Sequence, residues 1–123
     1  MRTALAVLMA LHGTAHLAGF VTAWRLVPSQ AASYKTTVLA GRVDLGASGI
    51  HVFGVLWLLA AAAFWLASIG AFTNRPWWVS MALGTAIVSL ALSLIALPES
   101  RIGVPINLLI VVALLAWQGS GTL

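Results

Sequence analysis

Three histidines, His12, His16 and His51, are the side chains in this 123-residue sequence best suited to chemistry, and Asp44, Asn107 and Trp57 are the ones best placed to assist them. A neutral imidazole binds haem iron or a divalent metal through one ring nitrogen, while its other N–H holds an oxygen acceptor such as a carboxylate or an amide. It also relays protons near neutral pH and hydrogen-bonds carbonyls of the kind a quinone carries. His12 and His16 are four residues apart, so on a helix they share one face, in a stripe with Leu5, Leu8, Gly19 and Ala23. The H-x-x-x-H spacing is common on helices and lacks the glutamate of the zinc-protease motif, so it permits these chemistries without choosing among them. The chain contains no cysteine, which excludes disulfides, thiolate metal sites, c-type haem attachment and cysteine nucleophiles.

Composition sets the elements that must hold these residues. The chain is 62% hydrophobic and 7% charged, whereas a soluble domain needs roughly 25% charged residues to cover its surface. The formal charge of +4 is scattered with no basic run, so the expected partner is the lipid bilayer and not nucleic acid. A hydrocarbon core about 30 Å thick takes about 20 apolar residues as a helix. Four stretches qualify, over approximately 3–24, 46–68, 77–97 and 104–118, giving one all-α domain over residues 1–123: an integral membrane four-helix bundle with a long first loop. Pro28 follows the first span, residues 70–76 separate the second and third, and residues 97–101 separate the third and fourth. Arg2 before an apolar run has the look of a signal peptide, but the run continues past Ala18, so an uncleaved span is expected. Trp24 marks one membrane interface, Trp65, Trp77, Trp78 and Trp117 the other, and Trp57 alone lies deep in a span.

The first and third loops share a side and hold Arg25, Lys35, Arg42 and Arg101, against Arg2 and Arg75 on the other, which favours a cytoplasmic position for those two loops. Residues 36–48 mix apolar side chains with Arg42 and Asp44. A second helix running back to Thr37 would be about 48 Å long, too long to cross without a break or strong tilt, so an interfacial or partly inserted piece is expected there.

Counted from Thr3, His12 lies about 13 Å along the first helix and His16 about 20 Å along, toward the first-loop side. His51 lies on that side too, and a helix reaching back through Asp44 would align Asp44, Ser48, His51 and Val55. Asn107 sits a turn or so inside the fourth span on the same side, so the polar side chains are expected in one half of the bundle. Two readings stay open: a ligand site, since ionisable residues within a span point to function, or cross-helix hydrogen bonds that only fix packing. Arg42, Asp44, Glu99 and Arg101 read as solvated loop charges. Ala82, Ala86, Ser89 and Ser93 form a small-residue face for close packing. Those serines read as bonded within their own helix, with no His or acid placed to act as their base.

Gly13-Thr14-Ala15-His16-Leu17-Ala18-Gly19-Phe20, Gly54-Val55-Leu56-Trp57-Leu58-Leu59-Ala60-Ala61, Arg75-Pro76-Trp77-Trp78 and Gly103-Val104-Pro105-Ile106-Asn107 together resemble a family of small four-span bacterial membrane proteins of unassigned function. The resemblance covers most of the chain outside the first loop and implies the four-span architecture, a bacterial inner-membrane location and attention to His16, Trp57 and Asn107. Glu99 and Arg101 fit an acidic and a basic residue before the family's fourth span, while Pro98 stands where the family carries Trp. A looser, fold-level similarity is to the DoxX-type four-helix proteins associated with quinone or sulfur redox chemistry.

No reaction is named by these residues. The leading expectation is a small membrane binding or accessory protein that packs against a larger membrane complex or itself, with His12, His16, His51 and Asn107 joining helices or cradling a lipophilic ligand. The alternative is a redox or metal-dependent protein holding b-type haem, a quinone or a divalent metal through the histidines. Proton-coupled transport ranks third, because the first helix has no acid.

Overall fold

The computed structural model describes residues 1–26 and 34–119, so Pro28 lies outside the described residues. The apolar runs become helices: α1 (Arg2–Ala23), α2 (Gly46–Phe72), α3 (Trp78–Ile95) and α4 (Gly103–Gly119). Between α1 and α2 stand two short strands, β1 (Thr37–Val38) and β2 (Val43–Asp44). The first three helices are long and apolar enough to cross a membrane, which fits an integral membrane protein, and α4 is a shorter apolar helix of 17 residues.

The first three helices stop for local reasons. Arg25 and Asn74 turn into the left-handed region just after α1 and α2, and after α3 Pro98 has no N–H with which to continue. The second span runs to Phe72 rather than ending at residue 68. Gly70, expected as part of the break, packs instead against the ring of Trp77, where an added Cβ would sit 2.7 Å from the indole.

The segment before α2 departs most from expectation. It forms no inserted helical piece; it is an antiparallel hairpin that pairs Thr37 with Asp44 and Val38 with Val43. Leu39, Ala40 and Gly41 at its tip all have positive φ. The backbone N–H of Leu39 donates to the carbonyl of Ile95 at 2.8 Å, and that of Ala40 to Leu97 at 3.2 Å. These bonds explain the hairpin physically, because the last carbonyls of a helix have no partner within it. Gly46 at φ +70 prevents α2 from running back, so the Asp44–Ser48–His51 stripe does not form.

Buried apolar side chains gather in two clusters. One joins Leu5, Met9, Phe64, Trp78, Ile110 and Leu114. The other, toward the first loop, joins Ala23, Val38, Ile50, Phe53, Trp57 and Leu92. Glycine lets α1 and α2 come close between them: a Cβ on Gly13 would lie 2.9 Å from the Cβ of Phe64 and 3.1 Å from the carbonyl oxygen of Ala61. Alanine favours a helix over glycine by about 1 kcal/mol, so the expected result for Gly13→Ala runs against propensity. Overpacking should lower stability by about 1–2 kcal/mol, while Gly84→Ala, with open space at its Cβ, should not destabilise. Thermal unfolding of both variants in mild detergent checks this, and a stabilised Gly13→Ala protein would contradict the close contact.

Candidate functional site

The polar side chains of three helices meet in a layer between the two apolar clusters. On α1, the spacing of four puts His12 and His16 on the same inward face, both buried. On α3, Ser89 and Ser93 have that same spacing and are also buried, and Asn107 on α4 is fully buried.

Hydrogen bonding fixes their orientation. The Asn107 amide N–H donates to the carbonyl of Gly103 at 2.8 Å and reaches the Ser93 hydroxyl at 3.5 Å. Its Oδ1 is therefore turned toward His12, whose Nε2 lies 3.1 Å away and must carry the proton. His16 Nδ1 faces the backbone carbonyl of His12 at 2.7 Å, so that nitrogen is the donor. The other nitrogen of a neutral ring is an acceptor, and the Ser89 hydroxyl donates to it at 2.5 Å. The imidazoles meet edge to face at 4.6 Å between centroids, and His16 also touches Trp57 at 5.0 Å.

His16 and Ser89, 73 residues apart, overturn the reading that the α3 serines have no histidine partner. The cause is tertiary: α1 and α3 both pack against α2, and the His16 side chain reaches Ser89 from there. Ser89 is fully buried and does not line the cavity described below, so its hydroxyl orients His16 rather than meeting a substrate.

His51 does not join the layer. Its ring stacks on Trp24 at 4.4 Å and 17°, and the Trp24 indole N–H donates to the His51 carbonyl at 3.0 Å. Asp44, expected as a partner for histidine, is exposed in the hairpin and accepts from the backbone N–H of Gly46 at 2.9 Å. That bond, with a smaller contribution from Thr36, holds its carboxyl below the usual range. Among the described residues, no group of three His, Asp or Glu is arranged to hold a metal ion.

Beside the layer opens a cavity of about 670 Å³. His12, His16 and Ser93 contribute its polar floor, while Ile50, Phe53 and Trp57 are among its apolar walls. Lys35, Glu99 and Arg101 stand on its exposed, loop-side rim. Glu99 is exposed, as expected of a loop charge, and its carboxylate accepts from the Lys35 ammonium in a surface pair that ties the first loop to the third. The Lys35 bond depresses the pKa of Glu99.

Compared with family models, curated proteins and solved structures, the chain matches none.

Replacing Asn107 with Leu leaves the His12 N–H facing an apolar wall, and should lower stability by roughly 1–2 kcal/mol. An unchanged unfolding temperature in mild detergent would contradict the assigned bond. The Lys35–Glu99 pair contributes less, under about 1 kcal/mol, since both side chains are solvated. The folded pKa of Glu99 is depressed, so this contribution is present above its unfolded value and fades as pH falls through the folded one. The stability difference between wild type and Lys35→Met should shrink accordingly on acidification, and a difference that grows instead would reverse the sign.

Proposed function

We propose that this chain is a four-span membrane protein that binds a lipophilic ligand with one polar group in the cavity between α1, α2 and the start of α4. The observation that carries the reading is the cavity itself, apolar on its walls with a histidine floor. Its volume of about 670 Å³ falls in the range of small-molecule sites, which are mostly apolar with a few placed polar groups. Support for the fourth span comes from α4, which turns Leu108, Leu109, Val112 and Leu115 outward, the face a helix shows to lipid. The charged rim suits the membrane surface, with the first and third loops on the cytoplasmic side as the Lys and Arg distribution favours. In this reading the protein acts as a binding or accessory component beside a larger membrane complex or a second copy, in keeping with the bacterial family its motifs resemble.

Haem or metal ligation fits less well. His16 commits both ring nitrogens to protein partners, and His51 lies against Trp24 outside the layer.

The test is purification in mild detergent followed by mass spectrometry of extracted small molecules. Wild type is expected to retain a lipophilic compound at near one per chain. Ala15→Phe, which fills the cavity from its α1 wall, should lose it while keeping its helical circular dichroism. Equal retention by both proteins, or none by wild type, would overturn the reading.

A further inference from the structure

The floor of the cavity has a chemical polarity that selects among lipophilic ligands, an inference that rests on the binding reading above. His12 is only 6% exposed. Its Nε2–H is committed to Asn107, whose own orientation is fixed by its bond to the Gly103 carbonyl. A neutral imidazole with a protonated Nε2 has a bare lone pair at Nδ1. No partner for that nitrogen is found among the described residues, nor is it one of the sealed, unpaired polar atoms. The ring lines the cavity, so this lone pair is left to whatever fills the space. The second histidine offers nothing comparable, because its nitrogens are held by the His12 carbonyl and by Ser89.

We infer that the ligand donates an O–H to His12 Nδ1, and so belongs to the phenols, alcohols or hydroquinones rather than to the ketones, quinones or ethers. A carbonyl or ether oxygen carries only lone pairs and cannot pair with the lone pair at Nδ1, which leaves that nitrogen an unsatisfied buried acceptor. A hydroxyl satisfies both itself and the nitrogen. Trp57, Phe53 and Ile50 accept the apolar body of either kind of molecule without discriminating, and the Ser93 hydroxyl, which donates or accepts, suits either oxygen, so the choice falls to His12. Asn107 is the positioning residue, because its amide sets which nitrogen of His12 is bare.

The experiment compares hexylphenol with hexylanisole, its methyl ether, against the full chain with ¹⁵N-labelled histidine in phosphatidylcholine nanodiscs. The two probes share an apolar body and differ in the donor. The phenol is expected to bind roughly tenfold more tightly, the effect of leaving one buried acceptor unpaired. It should also move the Nδ1 resonance of His12 while that of His16 stays in place. His12→Phe is expected to bind both probes with equal affinity. Equal binding by wild type would overturn the inference and leave the cavity a ligand site, whereas binding of neither would overturn the binding reading as well. The ligand-free spectrum is decisive even if the variant does not fold: a protonated Nδ1 on His12 would overturn the assigned polarity.

Discussion

Helices that are apolar all round have little to distinguish a right neighbour from a wrong one, because in a bilayer lipid tails are as apolar as leucine. Registry must then come from groups that lipid cannot satisfy. In this chain those groups are His12, His16, Ser89, Ser93 and Asn107, each buried. The bond from His12 to Asn107 spans 95 residues and joins α1 to α4, and the bond from Ser89 to His16 joins α3 to α1. Sliding or rotating any of these helices would strand a donor or acceptor where no water can reach it. The Ser68 hydroxyl adds α2 to the same scheme by donating to the carbonyl of Ala6 at 2.6 Å.

Packing density follows from this registry. On one side of the polar layer the helices close over Phe64, Met9 and Leu114, with Gly13 at the crossing of α1 and α2. On the other side α4 begins only at Gly103, and the hairpin with the third loop stands where a longer helix would pass. The cavity is the space that remains there. Its mouth is held by contacts between loops, the backbone bonds of Leu39 and Ala40 and the Lys35–Glu99 pair, while its floor is held by contacts between helices.

Much of this architecture is written locally in the sequence. The helical runs show as apolar stretches, and the shared face of His12 and His16 follows from their spacing. His51 was different: its height along α2 follows from counting, but a helix apolar on all sides does not say which way any one side chain turns. The hairpin carries no such local signature either. Its strands are two residues each, too short for alternation, and Leu39 and Ala40 are unusual residues for positive φ. Ser89 could be placed on a small-residue face, yet its partner lies 73 residues away and depends on how α1 and α3 both pack against α2.

The helices differ in length in a way that reaches beyond the protein. At 1.5 Å per residue, α2 with 27 residues is about 40 Å long and α4 with 17 is about 25 Å. In the proposed arrangement the surrounding lipid meets two unequal hydrophobic heights around one small perimeter. Lipid beside α4 must thin, whereas α2 must tilt or stand proud of the hydrocarbon. Such a molecule carries a gradient of membrane thickness with it, and the thinned flank lies beside the helix that also walls the cavity.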